Sequence, residues 1–298
     1  MRVKKHGVAE FDCFYNEIYG DRWRSLKDAL LKPVNHVARF NLFADKNKFH
    51  DLRNFKLLGN FNNIYESSSI APDFHEMKDE NALRYFYFMD IASIYPVTAL
   101  DVKTGHNVLD MCAAPGGKSL ILAENLRAEG FLKLNDSSMP RINRLKNVLA
   151  DYIPSDFLKN ISIRLNKAET LCLKERELYD RILLDAPCSS ERHLLHKPEN
   201  LNEWSRSRTK MLAQRQYAML SSAIRILKKE GLLVYSTCSI SPFENDDNIF
   251  KLKKKNSQNI EIIKRNFDIG EPTELGWCIM PDKFSCGPIY FAIIRKIS

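Results

Sequence analysis

Residues 110–118, Asp-Met-Cys-Ala-Ala-Pro-Gly-Gly-Lys, lie where a short apolar run gives way to a helical pattern. Asn107 to Met111 predicts a buried strand, and Lys118 to Arg127 predicts a helix. In open sheets of parallel strands, ligands bind where a strand turns into its helix. The glycine pair permits backbone angles that other residues avoid, and the helix N-terminus offers free N–H groups to a carboxylate or phosphate. We therefore expect this turn to bind a ligand.

The same alternation of apolar runs and helical patterns continues through residues 101–298, which we expect to form one domain. Further strands are predicted at Gly130 to Leu134, Ile161 to Leu165, Arg181 to Leu184, Leu232 to Ser236, Ile260 to Ile263 and Ile289 to Ile294. Helices are predicted at Arg141 to Tyr152 and at Lys210 to Lys228, the latter closed by Gly231. The pattern predicts an α/β fold, a mostly parallel sheet with helices on both faces.

The first hundred residues do not show this alternation. Helical patterns occupy Phe11 to Tyr19, Trp23 to Leu31 and Ala82 to Tyr95, so we expect a mainly helical N-terminal extension, residues 1–100. This extension has 14 basic against 13 acidic residues, whereas residues 101–298 have 31 against 24. The positive charge of the second part suits an anionic partner such as a nucleic acid.

Composition argues against several classes of protein. No stretch approaches the ~20 consecutive apolar residues of a membrane helix, so we expect no membrane span. The seven cysteines form no Cys-x-x-Cys pair and their number is odd, which is typical of reduced thiols. His193 and His196 are the only closely spaced histidines, and they have no further ligands at zinc spacing. We expect no metal site.

The glycine turn differs from two common nucleotide-binding patterns. A Walker A loop requires Gly five residues before its Gly-Lys, where this chain has Cys112, and Gly-x-Gly-x-x-Gly is absent. Asp136 follows the second predicted strand, where a carboxylate can accept hydrogen bonds from both hydroxyls of a ribose. Asp136 is therefore a candidate ribose ligand.

Two cysteines follow two other predicted strands. An Asp-Ala-Pro-Cys segment runs from Asp185 to Cys188, and a Ser-Thr-Cys-Ser segment contains Cys238. Parallel strands present their carboxyl ends at one sheet edge, so both thiols are expected beside the glycine turn. Ser241-Pro-Phe-Glu has the form of a capping box with Pro at the first helical position, and a helix N-terminus close to Cys238 would lower its pKa.

A thiol in this place suits one kind of reaction. Carbon 5 of cytosine is a poor nucleophile until a thiolate adds to carbon 6 and makes carbon 5 enamine-like. Methyl transfer, loss of the carbon 5 proton and elimination of the enzyme sulfur then complete the exchange. A carboxylic group near N3 of the base would help to accept charge during the addition, a role open to Asp185.

The three motifs in this order resemble the Sun (Nop/Sun) family of RNA cytosine-5 methyltransferases, and the likeness covers roughly residues 80 to 298. The resemblance implies a class I (Rossmann-like) methyltransferase fold that uses S-adenosylmethionine. It also implies that Cys238 attacks the base, that Cys188 aids product release, and that Asp185 and Lys118 contact the cytosine. The residues implied to surround the cofactor are Cys112, Ala113, Ala114, Pro115, Gly116, Gly117, Lys118, Asp136, Arg141 and Asp185. Where the family usually has Asp beside the adenine, this chain has Glu169.

Three further segments, beginning at Phe88, Arg192 and Cys286, resemble the mitochondrial branch of that family. That resemblance implies a mitochondrial protein that acts on structured RNA, ribosomal or transfer RNA, with a partner protein or the assembling ribosome supplying specificity. The six Lys and Arg side chains between Arg192 and Arg215 are candidates for contacting phosphates.

Two other functions compete with this interpretation. In a DNA cytosine-5 methyltransferase, Cys188 of the Pro-Cys motif would be the nucleophile. A methyltransferase-like assembly factor would bind ribosomal RNA without essential catalysis.

Overall fold

Two helices and a small antiparallel sheet begin the chain. They are seen in a computed structural model that describes residues 6–45, 55–58, 60–69, 74, 76–127, 129–176, 178–202 and 204–298. The elements are α1 (His6–Tyr19), α2 (Arg22–Leu31), β1 (His36–Phe40), β2 (Ile64–Glu66) and β3 (Phe86–Asp90). Both helices were predicted. The sheet, in which β1 pairs with both neighbours, was not.

The helix predicted at Ala82 to Tyr95 is wrong. The middle of this segment is strand β3, followed by a 3-10 turn at Ile91–Ser93 and the short helix α3 (Ile94–Ala99). β3 forms because it pairs along its whole length with β1, from His36 opposite Asp90 to Phe40 opposite Phe86. Its aromatic residues favour a strand, but the deciding partner lies about fifty residues earlier in the chain.

The remaining elements build the main domain. The helices are α4 (Gly117–Leu126), α5 (Met139–Tyr152), α6 (Ser155–Leu158), α7 (Glu191–Leu195), α8 (Pro198–Leu201), α9 (Arg206–Ile226), α10 (Asp246–Lys255) and α11 (Pro281–Phe284). The strands are β4 (Asn107–Asp110), β5 (Phe131–Asp136), β6 (Ile161–Leu165), β7 (Tyr179–Asp185), β8 (Leu227–Thr237), β9 (Ile260–Ile263), β10 (Glu271–Pro272), β11 (Trp277–Ile279) and β12 (Ile289–Lys296).

The nine described strands of this domain form one sheet, and its parallel half carries the predicted motifs. The order is β10-β11-β12-β8-β7-β4-β5-β6, with β9 also paired to β12. Strands β6, β5, β4, β7 and β8 run parallel, whereas β12 is antiparallel to β8. The carboxyl ends of β4, β7 and β8 therefore lie side by side at one edge.

Helices cover both faces of the sheet, as predicted. Successive residues of a strand point to opposite faces. In β7, Ile182 and Leu184 belong to a core that includes residues of α1, α2, α9 and α10, whereas Leu183 belongs to a second core with residues of α3, α4 and α5. The predicted α/β architecture is confirmed. None of the helices in the described ranges has the length and apolar character needed to cross a membrane.

The end of the long helix α9 differs from its prediction. The helix stops at Ile226, and Gly231 lies inside β8 instead of closing the helix. The chain becomes extended at Leu227 because Leu227 pairs with Tyr179 of β7. Glu230 takes a left-handed backbone angle, φ 61°, in the irregular part of this strand.

The small sheet is joined to the main domain by a buried ion pair. Arg39 Nη1 of β1 lies 2.6 Å from Glu124 Oε2 of α4, and each side chain is only 2% exposed. Glu124 Oε1 also accepts a hydrogen bond from the Leu42 N–H at 3.2 Å. Removing one partner of a buried pair leaves the other charge uncompensated.

We expect Glu124→Gln to lower the free energy of unfolding by ~3–5 kcal/mol, because the Arg39 charge then stays buried without a partner. Urea unfolding of the purified proteins measures this. The matched control is Asp156→Asn, which breaks the exposed pair with Lys159 and should leave stability nearly unchanged. Equal effects of the two substitutions would contradict the structural role of the buried pair.

Candidate active site

Asp110 fixes the glycine loop, residues 111–116, at the end of β4. One carboxylate oxygen accepts a hydrogen bond from the Cys112 N–H at 3.3 Å, and the other accepts one from Ser119 Oγ at 2.8 Å. The side chain is buried, and this burial raises the pKa of Asp110 to about 7. The carboxyl group therefore ties the loop to the first turn of α4.

Gly116 at the end of the loop and Gly117 at the start of α4 are both required by the local structure. Gly116 has φ 124°, in the region that favours glycine. A Cβ at Gly117 would lie 2.6 Å from Cε1 of the Tyr87 ring, which packs against the loop from β3. The close approach of β3 therefore depends on the absence of a side chain at position 117.

The glycine loop lines a cavity of about 170 Å³, here called the glycine-loop cavity. Its lining comprises Tyr87, Phe88, Met89, Ser93, Asp110, Cys112, Ala113, Ala114, Pro115, Gly116, Gly117, Lys118 and Asp185. Every residue predicted from Cys112 to Lys118 lines it. The β3 wall was missed because that segment was predicted to be helical; the Phe-Tyr-Phe run at 86–88 is the signal that could have found it.

Three other predicted cofactor residues, Asp136, Arg141 and Glu169, are not in the lining of this cavity, although Asp136 and Arg141 both contact the backbone of Ala114. Asp136, buried at the end of β5, accepts a hydrogen bond from the Ser138 N–H at 3.0 Å and forms an ion pair with Arg141 at 3.1 Å. Glu169 follows β6 and lies 3.3 Å from Nε of Arg215. The carboxylates thus stand at the ends of successive parallel strands, with their side chains held by protein partners.

A second and larger cavity, about 660 Å³, contains Cys238 and is called the thiol cavity. Part of its lining comes from the linker between α2 and β1 and from α7. Its residues are Lys32, Pro33, Val34, His36, Asp90, Ser93, Lys118, Asp185, Ala186, Ser190, Arg192, His193, His196, Cys238, Gly287, Pro288 and Ile289. The nucleophile candidate is therefore open to a space large enough for a nucleobase.

The two cavities share the side chains of Ser93, Lys118 and Asp185. Lys118 Nζ lies 2.7 Å from Asp185 Oδ2, and Ser236 Oγ donates to Asp185 Oδ1 at 2.8 Å. Although burial opposes its charge, the carboxylate of Asp185 keeps the pKa of Lys118 above its usual value. A lysine–aspartate ion pair thus forms a common wall between the cavities.

The two predicted cysteines meet in the structure. Cys188 Sγ lies 3.0 Å from Cys238 Sγ, and Ser190 Oγ lies 3.2 Å from the same Cys238 sulfur. The hydrogen bond from Cys188, supported by that from Ser190, lowers the pKa of Cys238 against the effect of burial. The same contact and burial raise the pKa of Cys188 well above its usual range. Cys238 is therefore the more acidic of the two thiols.

A family model described as 16S rRNA methyltransferase RsmB/F matches residues 97–295. The chain belongs to this family, the Sun family of RNA cytosine-5 methyltransferases. It is 32% identical to the 5-cytosine rRNA methyltransferase NSUN4 of Xenopus laevis over 295 residues, covering 91% of this chain and 72% of that protein. It is 31% identical to the mitochondrial tRNA (cytosine(34)-C(5))-methyltransferase of Danio rerio over 323 residues, covering 96% and 86%.

Solved structures show the same fold. NSun6 from Pyrococcus horikoshii, solved with SFG, superposes with a TM-score of 0.78 at 21% identity, covering 97% of this chain and 98% of that one. A methyltransferase homologue from the same organism gives 0.77 at 23% identity, covering 99% and 100%. The class I methyltransferase fold is thereby confirmed. The identity as a Sun-family enzyme is confirmed by the family model and the similar sequences.

The cause predicted for the lowered pKa of Cys238 is wrong for this Sun-family chain. The residues after Ser241 form a 3-10 turn, Pro242–Glu244, and Ser241 makes no side-chain cap. The α-helix begins only at Asp246. Glu244, the expected cap, binds other side chains instead. The direction of the pKa shift agrees with the prediction, but its main cause is the Cys188 thiol.

Within the described residues, no group of three or more His, Cys, Asp or Glu side chains is arranged to hold a metal ion. His196 instead contacts the Leu30 carbonyl at 3.1 Å.

We expect Cys188→Ala to raise the pKa of Cys238, since the substitution removes the strongest hydrogen bond to its sulfur. The rate of Cys238 alkylation by iodoacetamide at neutral pH should fall, measured by mass spectrometry of the Cys238 peptide. Cys13→Ala, which removes an exposed thiol on α1, is the control and should leave the rate unchanged. An unaltered pH profile in Cys188→Ala would show that the contact does not set the thiol pKa.

Proposed function

We propose that this enzyme transfers a methyl group from S-adenosylmethionine to carbon 5 of a cytosine in mitochondrial ribosomal RNA or transfer RNA, through a covalent Cys238 adduct. One observation carries the proposal: Cys238 opens into a cavity that shares the Lys118–Asp185 wall with the glycine-loop cavity. A base against Cys238 and a methyl donor against the glycine loop would then meet across that wall.

The residues of the glycine-loop cavity fit S-adenosylmethionine. Cys112 to Lys118 would hold its methionine part, because α4 presents its N-terminus to a carboxylate there. Asp136 would bind the ribose beside Arg141, and Glu169 would face the adenine. The neighbour NSun6 was solved with SFG, an analogue of this cofactor, which supports the choice. When bound, the cofactor supplies an electrophilic methyl group.

Cys238 would act as the nucleophile because its lowered pKa increases the thiolate fraction. Addition to carbon 6 places negative charge on the base. The Lys118 ammonium, held by Asp185, lies on the same cavity and would stabilise that charge together with the Asp185 carboxyl group. Cys188, a neutral thiol 3.0 Å from Cys238, would aid release once the methyl group is in place.

The names of the similar proteins support the substrate and the location. One is an rRNA methyltransferase and the other a mitochondrial tRNA methyltransferase. We also propose a division near residue 100 between an N-terminal extension and the methyltransferase domain, supported by the start of the family match at residue 97. Because residues 1–100 are nearly neutral, a partner protein or the assembling ribosome would supply RNA specificity.

Trapping of RNA tests the covalent step. Small-subunit ribosomal RNA transcribed with 5-fluorocytidine should form a stable adduct with the wild-type enzyme, since fluorine at carbon 5 is not lost as a proton would be. Cys238→Ala should form none. Cys188→Ala should accumulate an adduct even with ordinary RNA, because elimination is slowed.

The trapping experiment also separates the alternatives. Loss of the adduct in Cys188→Ala would assign the nucleophile to Cys188, as in a DNA cytosine-5 methyltransferase. Rescue of an organelle ribosome defect by Cys238→Ala would show an assembly role without catalysis. Both are disfavoured by the family membership and by the different pKa directions of the two thiols.

We further propose that Arg192 of α7 binds an RNA phosphate at the mouth of the thiol cavity. Its Nη1 donates to the Lys32 carbonyl at 2.7 Å, and its Nε has no hydrogen-bond partner. Within the described residues Arg192 forms no ion pair; the nearby carboxylate of Asp90 accepts hydrogen bonds from the N–H groups of Ala92 and Gly287. A partly buried cation without a carboxylate suits a phosphate.

Arg192→Gln should weaken binding of a short single-stranded cytidine–uridine RNA by about 10-fold and reduce the salt slope of the affinity by about 1. Fluorescence anisotropy over a range of salt concentrations measures both. Arg225→Gln, an exposed arginine in the last turn of α9 at the opposite edge of the sheet, is the matched control. If the two variants lose affinity equally, Arg192 does not form a specific phosphate site.

A further inference from the structure

Directly behind the two thiols, two serine hydroxyls link the loops that carry them. Ser189 follows Cys188 and Ser239 follows Cys238, and their Oγ atoms lie 2.9 Å apart. These hydroxyls are called the hydroxyl pair. Whatever fixes the hydroxyl pair also fixes the separation of the two sulfurs, because each serine is the next residue after its cysteine.

Two fully buried glutamates, Glu191 and Glu244, hold the hydroxyl pair and are called the carboxyl pair. Ser239 Oγ lies 3.1 Å from Glu191 Oε1 and 2.9 Å from Glu244 Oε1. Ser189 Oγ contacts the same two carboxyl oxygens. With the serine–serine contact, four oxygen atoms make five close contacts.

The outer oxygens of the carboxyl pair have their own donors. Glu191 Oε2 accepts from the Ile240 N–H at 3.0 Å, and its Oε1 also accepts from the Tyr15 hydroxyl at 2.6 Å. Glu244 Oε2 accepts from Nε2 of Gln216 at 2.6 Å and from the N–H of Ser189 at 3.0 Å. This leaves Glu244 Oε1 facing only the hydroxyl pair.

This cluster has too few hydrogen-bond donors if both glutamates are ionised. A serine hydroxyl donates one hydrogen bond, and an ionised carboxylate donates none. With both glutamates ionised, the hydroxyl pair supplies two protons for five oxygen–oxygen contacts, and two negative charges are buried together. One proton on Glu244 Oε1 adds a third donor to the five oxygen–oxygen contacts, and it removes one of the two charges.

We propose that the carboxyl pair holds a single proton, bound to Glu244, while Glu191 is ionised. This proton holds the loops of Cys188 and Cys238 in hydrogen-bond contact. Glu191 and Glu244 are thus positioning residues that act through the thiols. Burial, followed by the charge of Glu191, raises the pKa of Glu244 to about 7, so the proton is lost within the physiological range.

Loss of the Glu244 proton is expected to raise the pKa of Cys238. Below about pH 7 the carboxyl pair has one charge, and above it two. The second charge repels both Glu191 and the Cys238 thiolate, so the pKa of Cys238 rises as Glu244 ionises. The other titratable groups that interact with the pair are Tyr15 and Tyr19 of α1, the Cys188 thiol, and Tyr235 of β8. Burial, first of all, raises the pKa of the three tyrosines well above their usual value.

The effect of this proton on methylation depends on the proposed role of Cys238 as nucleophile, but its effect on the Cys238 thiol does not. The test therefore uses no RNA. Alkylation of Cys238 by iodoacetamide is followed by mass spectrometry from about pH 5.5 to 9.5. In the wild-type enzyme the rate should rise with pH and show a break near about pH 7, where Glu244 loses its proton. A failure of the proposed methylation would leave this profile unaffected.

Glu244→Gln is the deciding variant, because an amide can donate from the Oε1 position and accept at the Oε2 position, as the protonated acid does. Its profile should follow one ionisation without the break, and at about pH 8 alkylation should be roughly 3- to 10-fold faster than in the wild type. Glu175→Gln makes the same change at a carboxylate bound to Lys133 and Tyr179, and should keep the wild-type profile.

A second variant keeps the test decisive if Glu244→Gln does not fold. In Glu191→Gln the neighbouring charge is absent, so the break should move below about pH 7. Burial also raises the pKa of Asp110 to about 7, so Asp110 could cause a break at the same pH. In Asp110→Asn the break should persist, which excludes Asp110 as its cause. A wild-type profile without a break, or the same break in Glu244→Gln, would overturn the proposal.

Discussion

The ion pair between Lys118 and Asp185 is the contact on which the active site depends. It joins the first turn of α4 to the end of β7, and it is the only ion pair in the described residues that lines both cavities. Removing either partner would leave a largely buried charge uncompensated and would merge the two cavities. In the proposed mechanism, cofactor binding and base binding would both rely on this one charge interaction, which also favours the charged form of Lys118.

The sequence was sufficient for the parts of the site that follow from sheet topology. The carboxyl ends of β4, β7 and β8 are adjacent because these strands are parallel, so the glycine loop, Asp185 and both thiols converge as predicted. The part of the cavity lining that comes from β3 could not be predicted from sheet topology. Tyr87 is placed by pairing between β3 and β1, segments far apart in the chain, and no local periodicity reports such a contact.

Glu244 shows why a local motif can mislead. Serine, then glutamate three residues later, is the pattern of a capping box, and here it precedes a helical turn. The glutamate side chain instead turns towards Ser189 and Gln216, which approach from β7 and α9 and offer it buried donors. A buried carboxyl group gains more from such partners than from one exposed backbone N–H. The main cause of the lowered pKa of Cys238 is accordingly the neighbouring Cys188 thiol and not a helix N-terminus.

Residues that precede the family match, which begins at residue 97, also contribute to the candidate active site. Tyr15 of α1 donates to Glu191, the linker after α2 lines the thiol cavity, and β3 lines the glycine-loop cavity. A buried carboxylate needs every available donor, and Tyr15 supplies one that the main domain lacks. The methyltransferase domain without its extension would therefore have an open base site and a less well satisfied carboxyl pair behind its thiols. The residues that form the candidate site therefore extend beyond the region that the family model matches.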